Sequence, residues 1–318
     1  MLTTAKRHLK RLRIETRDLL ELVCLPGLAA ILPWSLCFRL FKRMARWQWL
    51  YREACENART HARQRGWVHN EAQWLATRRL ITLVDHADFY LARTRSNRWL
   101  TKNLLVEGQW PQPDTAAVLC TFHWGVGMWA LRHAGAHHLK AHALVAPLVG
   151  AHFAGRAVLH RYAKARTASV ATALGCQTLD VSNSLRPALR ALRAHEQVVA
   201  AIDVPSDQVS SSQAIELLGM KARVPRALLR LAVDQGLPIT VFLTGIRIED
   251  GQRFLRLHTL GVWKDIDALM LAVYKILEGA IRENPPAWHF WGESERFFTR
   301  TETVPDPGRA ASSSQPAL

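Results

Sequence analysis

Hydrophobic positions change rhythm near residue 115 of this 318-residue chain. Downstream, short apolar runs occur at 116–122, 143–145, 198–202 and 239–246, and a more alternating run at 253–258. Runs of this length, rich in Val, Ile, Leu and Ala, read as buried strands. Between them, apolar residues recur at helical spacing near 125–134, 152–173, 184–194, 224–235 and 266–282. Strand–helix alternation predicts an α/β fold with a mostly parallel central sheet flanked by helices. The last strand is reached through Glu249-Asp250-Gly251-Gln252, whose Asp-Gly is a turn signal, so an antiparallel hairpin partner is expected there. Residues 67–105 read as helical, with Trp74, Leu75, Leu80, Ile81, Leu83 and Val84 forming an apolar stripe beside arginines. From Thr301 onward Pro, Ser, Gly and Ala dominate, which predicts a disordered tail over 301–318. No internal repeat is visible.

The first 66 residues have a different texture. Lys6, Arg7, Lys10, Arg11, Arg13 and Arg17 precede a stretch from Leu22 to Phe38 that carries no charge. Arg39, Lys42, Arg43, Arg46 and Arg52 follow, with Trp34, Trp47 and Trp49 interleaved. The uncharged stretch is at the short limit for a membrane-spanning helix, and Pro26, Gly27 and Pro33 interrupt it. Both flanks are basic, so a spanning segment would leave one basic flank on the wrong side. The expectation is N-terminal membrane-associated helices that dip into, or lie along, the cytoplasmic leaflet. The alternative is a hydrophobic helical hairpin packed on the main domain. This gives three regions: 1–66 basic and membrane-anchoring, 67–300 the α/β domain, and 301–318 the tail.

Charge sharpens this picture. Lys and Arg number 42 against 26 Asp and Glu, a net charge of +16. Such a field favours an anionic partner: nucleic acid, anionic lipid or an acidic carrier protein. Twelve tryptophans favour the lipid interface. No recognised nucleic-acid module appears, so nucleic acid is not expected as a partner. Five cysteines without a close pair argue against a disulfide framework or a zinc site and for a reducing compartment. His133 and His137 can share a helix face, but no acidic or cysteine partner lies near them, so neither a metal nor another cofactor is expected.

Three strand ends are polar where a core strand need not be. Val118-Leu119-Cys120-Thr121-Phe122 leads to His123-Trp124-Gly125-Val126-Gly127, a turn into a helix that starts near Met128. Val199-Ala200-Ala201-Ile202 ends on Asp203, and Leu243-Thr244-Gly245-Ile246 ends on Arg247. Parallel strands present their C-terminal ends at one sheet edge, where α/β folds build sites, so His123 and Asp203 can be neighbours. A structural histidine and a turn aspartate before Pro205 are the competing readings. Gly125 and Gly127 do not make a Gly-x-Gly-x-x-Gly fingerprint, and no Walker lysine follows.

Several blocks, taken in order, carry a resemblance. They are the His123-Trp124-Gly125 block, the arginine-bearing helix at 161–166, Asp203 after its strand, Leu218-Gly219-Met220-Lys221-Ala222-Arg223-Val224-Pro225 leading into 226–232, and Asn284-Pro285-Pro286-Ala287-Trp288-His289-Phe290-Trp291. From about Trp99 to Phe298 the chain resembles the late lipid A acyltransferases, the lauroyl and myristoyl transferases within the lysophospholipid acyltransferase superfamily. The resemblance implies a glycerol-3-phosphate-acyltransferase-like fold at the cytoplasmic face of a cell inner membrane, and a role in lipid or lipopolysaccharide biosynthesis. It implies acyl transfer from a thioester, on acyl carrier protein or CoA, to a hydroxyl or amine of a lipid-like acceptor among anionic membrane lipids.

In that family a histidine is followed, after four residues, by Asp or Glu. The histidine acts as general base, the carboxylate fixes its tautomer, and no covalent enzyme intermediate is needed. His123 matches; the acid position holds Met128, which cannot orient an imidazole. Asp203 is the expected substitute. Arg161 and Arg166 would contact a phosphate or headgroup, or else form a solvated basic helix face. Gly219 and Pro225 would shape the acceptor loop, or simply a turn. Trp288 and Trp291 read as core or interface aromatics. The alternative function is a catalytically silent lipid- or carrier-binding homologue.

Overall fold

A computed structural model of the chain describes residues 2–145, 150, 153–182 and 184–298. The tail expected over 301–318 lies outside the described residues. The chain opens with helix α1 (Leu2–Leu19), a π-helical stretch at Leu20–Cys24, α2 (Leu25–Ile31), α3 (Trp34–Met44) and α4 (Arg52–Gln64). The π segment ends two residues before Pro26, whose ring would clash with the carbonyl of Leu22 one α-turn earlier, inside that segment; widening the turn relieves that clash. Pro33 then drives Leu32 into an extended conformation (ψ 151°), which separates α2 from α3. The uncharged stretch is thus cut in two, and among the described residues no helix is long and apolar enough to cross a membrane.

Two further helices follow, α5 (Glu71–Thr94) and α6 (Asn97–Lys102). Asn70 and Ser96 cap them, each side chain accepting a backbone N–H three residues on. The α/β part then runs β1 (Leu104–Glu107), β2 (Ala117–Thr121), α7 (Met128–Ala136), β3 (Ala141–Val145), α8 (Ala157–Leu174), β4 (Leu179–Asp180), α9 (Arg186–Arg193) and β5 (Gln197–Ala201). It continues with β6 (Ser212–Leu217), β7 (Met220–Pro225), α10 (Ala227–Asp234), β8 (Ile239–Ile246), β9 (Arg253–Gly261) and α11 (Ile266–Glu283).

The strands form a sheet of seven in the order β1-β9-β8-β2-β5-β3-β4, flanked by helices. Every pairing is parallel except β8 with β9, the expected hairpin. Its turn is closed by the Asp250 carboxylate, which accepts Gln252 N at 2.9 Å, and by Gly251 at φ +77°. All eight residues of β8 are buried, as a strand covered on both faces requires.

Two strands and one hairpin depart from the expected pattern. The four-residue edge strand β1 and the two-residue β4 are too short to show a period. β6 and β7 make a separate antiparallel pair, and β7 occupies 220–225, where the helical reading had already begun at 224. Its two-residue turn places both Leu218 (φ +57°) and Gly219 (φ +76°) in the left-handed region, as a type I′ turn demands. Leucine at the first of these positions conceals the usual Asn-Gly signal.

The N-terminal helices do not stand apart. Ala29, Cys37, Phe38, Phe41 and Met44 belong to the same continuous core as β2, β5 and β8, so the core runs across residue 66. Polar ties reinforce it: Glu15 accepts the first backbone N–H groups of α8, from Ala157 (2.6 Å) and Val158 (2.9 Å), and Trp34 Nε1 donates to Gly251 O at 2.9 Å. Deeper still, Arg253 and Asp88 form a fully buried ion pair, with Nε to Oδ1 and Oδ2 at 3.0 and 3.1 Å. The guanidinium lies between the rings of Trp34 (3.9 Å) and Trp129 (4.1 Å). Burial holds the Asp88 carboxyl up at about 6 even beside Arg253, so desolvation is the dominant cost. Asp88→Ala, which leaves that guanidinium unpaired, is expected to lower stability by about 3–5 kcal/mol in urea unfolding. The double replacement Asp88→Leu with Arg253→Met should recover most of the loss.

Candidate active site

β2 and β5 lie side by side in parallel, with Thr121 opposite Ala201. Two residues beyond these, at the same sheet edge, the chain places His123 and Asp203, 80 positions apart in sequence. His123 Nδ1 and Asp203 Oδ1 are 2.8 Å apart. The His123 backbone N–H also donates to the carboxylate, at 2.8 Å to Oδ1 and 2.9 Å to Oδ2. Trp288 Nε1 donates to Oδ2 at 2.9 Å. Asp203 is 1 % exposed, while the His123 side chain is 41 % exposed. Because Asp203 accepts a hydrogen bond from Nδ1–H, the neutral ring carries its lone pair on Nε2. The competing reading of Asp203 as a turn residue does not describe it: its side chain bonds His123 and Trp288, not the local backbone.

The segments around the pair hold its geometry. Tyr274, on α11, donates to Ile202 O at 2.8 Å and packs against Phe122, bracing both strand ends. Phe290 sets its ring edge-on to His123, centroids 4.5 Å apart. Residues 285–290 run along the 123–126 loop, with Gly125 N to Ala287 O at 3.0 Å and His289 N to His123 O at 2.7 Å. His289 Nε2 donates to Gly125 O at 2.8 Å. Burial, with help from the nearby Arg78 charge, pushes His289 down to about 4, so it stays neutral and in this bonding role.

Gly125 turns at φ +70°, and a β-carbon there would fall 2.2 Å from Thr244 O. Thr244 O also accepts Val126 N at 2.9 Å, so the third polar strand end supports the turn. Arg247, at the end of that strand, pairs with Asp250 in the hairpin instead.

The remaining residues singled out from the sequence lie as follows. Met128 begins α7 with its side chain in the core, 3 % exposed. Arg161 is exposed on α8. Arg166 is bound bidentately to Asp85 (2.8 and 2.7 Å) and lies against His86 and Tyr162, so its guanidinium is already engaged within the protein. Gly219 occupies the β6–β7 turn and Pro225 ends β7. That hairpin reaches the site through Arg223 N to Phe297 O, at 2.8 Å, Phe297 packing on Trp288 and Phe290.

His133 Nδ1 accepts from Trp110 Nε1 at 2.9 Å, and burial pushes it down to about 4. Among the described residues no cluster of three His, Cys, Asp or Glu is placed to hold a metal. Cys120, three residues before His123, is fully buried, and burial pushes its thiol up to about 12, which excludes a thiolate nucleophile there.

Sequence reasoning missed the role of Trp288. Its indole N–H is a donor like any other until the fold shows which acceptor it meets. The arrangement can remove a proton from a hydroxyl or amine presented to Nε2 and hold the resulting imidazolium against a fixed carboxylate.

No protein-family model matches the chain, and no curated protein matches it at a significant level.

The two glycines of the turn should separate cleanly on substitution. Gly125→Ala meets both a left-handed φ and the Thr244 carbonyl, and is expected to cost about 1–3 kcal/mol in thermal or urea unfolding. Gly127 has nothing within 4 Å of its would-be β-carbon and no left-handed φ, so Gly127→Ala should stay within about 0.5 kcal/mol.

Proposed function

We propose that the chain is a membrane-associated acyltransferase that moves an acyl chain from a thioester, on acyl carrier protein or CoA, to a hydroxyl or amine of a lipid-like acceptor. The observation that carries this reading is the buried Asp203 carboxylate on Nδ1 of a half-exposed His123, which leaves Nε2 as a base. In the proposed step the acceptor hydroxyl gives its proton to Nε2 as its oxygen attacks the thioester carbonyl. The imidazolium is held by Asp203, the tetrahedral intermediate collapses, and the departing thiolate takes the proton back. No residue forms a bond to the acyl group. Asp203 supplies the orientation that Met128 cannot, and this favours an active site over a silent homologue. The resemblance to late lipid A acyltransferases supplies the expected acceptor class and the cytoplasmic face of the inner membrane as the place of action.

The N-terminal helices support action at a lipid surface. Ile31 is 80 % exposed, and Leu9, Leu12, Leu36, Trp47 and Trp49 are exposed too. Trp47 and Trp49 stack on each other at 5.5 Å. Lys6, Arg7, Lys10, Arg11, Arg39, Arg43 and Arg46 share these segments. Exposed apolar side chains among cations fit the headgroup region of an anionic leaflet without a spanning helix.

Two measurements test the proposal. Purified protein is given dodecanoyl thioesters of CoA and of acyl carrier protein with a bacterial lipid extract, and thiol release and acylated lipid are followed. His123→Ala should abolish both. Asp203→Asn, which leaves the wrong tautomer, should lower turnover by about three to four orders of magnitude. Thioester consumption that is indifferent to His123 would exclude this chemistry. In flotation with phosphatidylglycerol vesicles, the pair Trp47→Ala and Trp49→Ala should weaken binding roughly tenfold, the scale expected for two half-buried indoles.

A further inference from the structure

Arg78, on α5, is 6 % exposed, and no carboxylate pairs with it among the described residues. Its guanidinium is instead directed to three carbonyls of one segment. Nη1 donates to Pro286 O at 3.1 Å and Trp288 O at 3.0 Å, and Nη2 donates to His289 O at 3.2 Å. Burial pulls its pKa below the ordinary arginine value, a sign that the charge is held there at a cost. Packing alone would be served as well by an apolar side chain of the same volume. An apolar side chain could meet none of these carbonyls, whereas the planar fork of donors meets all three from a fixed geometry.

What that segment does next is directed at the catalytic pair. Trp288 Nε1 reaches Asp203 Oδ2, His289 N reaches His123 O, and His289 Nε2 reaches Gly125 O, at 2.9, 2.7 and 2.8 Å. Among the described residues, the indole is the donor to Asp203 that does not come from His123 itself. With it, both carboxylate oxygens are held and the carboxylate plane is fixed. Without it, Oδ2 keeps a share of one backbone N–H, and the carboxylate can rotate away from Nδ1.

The geometry points to Arg78 as a positioning residue that fixes the His123 tautomer, acting through Trp288 and Asp203. The inference rests on the acyl-transfer reading for its rate consequences, and on the hydrogen-bond geometry alone for its structural ones. Arg78 touches neither substrate nor reacting atoms. It keeps the imidazole with its proton on Nδ1 and its lone pair on Nε2.

The test compares wild type, Arg78→Lys, Trp288→Phe and His123→Gln as full-length protein. Trp288→Phe keeps an aromatic ring at this buried position, removes the indole donor and leaves Arg78 and its carbonyl acceptors in place, so it reports even where Arg78→Lys disturbs folding. Two readouts are taken: turnover of dodecanoyl thioesters, separated into kcat and KM, and imidazole 15N NMR, with His123 signals assigned by their loss in His123→Gln. The expected result is a wild-type His123 protonated on Nδ1, mixed tautomers in both variants, and kcat lower by about a hundredfold. KM should stay within about twofold, since binding is not the step affected. Unchanged kcat with unchanged His123 nitrogens in Trp288→Phe overturns the inference. So does a fall in kcat with His123 nitrogens unmoved, which marks general structural damage. If His123→Gln turns over like wild type, the acyl-transfer reading falls, and the nitrogen spectra still decide the role of Arg78.

Discussion

Leu119 lies opposite Val199 and Thr121 opposite Ala201, and from this parallel register between β2 and β5 the rest of the site follows. A slip of one residue would turn the side chains of one strand to the other face and separate His123 from Asp203. The register is held by a continuous apolar run on each strand and by Gln197, a buried polar residue at the start of β5. Its side-chain amide donates to Pro113 O and Thr115 O, at 2.8 and 2.6 Å, just ahead of β2. That amide is a polar pin in an otherwise non-directional core, and it sets the axial position of one strand against the approach to the other.

Around this pair, α5 plays a part its apolar stripe does not announce. Arg78, Asp85 and Asp88, at spacings of seven and three, fall on neighbouring sides of the helix and are answered by three different partners. These are the carbonyls of 286–289, Arg166 on α8, and Arg253 on β9. One helix thereby links the loop behind the site, the helix after β3, and the antiparallel β8–β9 hairpin within the sheet. Because each polar group is largely shielded from solvent and answered by one particular partner, the arrangement specifies which helix packs where. Apolar contacts alone would discriminate less well.

Much of the fold was legible in the sequence. The strands at 116–122, 198–202 and 239–246 announced themselves because strands covered on both faces must be apolar throughout, and the Asp-Gly of the β8–β9 turn is a local signal. His123 and Asp203 were visible as polar ends of apolar strands, since a parallel sheet brings such ends together. The β6–β7 hairpin was not legible, because its turn puts Leu218 where Asn is usual. Arg78 and Trp288 were not legible either: an arginine beside an apolar stripe looks the same whether it meets water or three carbonyls. Their partners lie 208 and 85 positions away. Arg166, marked out as a ligand for an anion, found its anion in Asp85, and no local pattern distinguishes an internal carboxylate from a substrate phosphate.

The long sequence separation within the dyad has a consequence for the chain during synthesis. His123 is made well before Asp203, and the indole that holds Asp203 comes 85 residues later again. Contacts between such distant segments close late, because the loop entropy must be met before the pairing rewards it. A nascent chain therefore carries its basic N-terminal helices long before it carries a competent base. In the proposed setting it meets the lipid surface as a binder first and as a catalyst only on completion, so the ribosome itself sets the order in which attachment and chemistry arise.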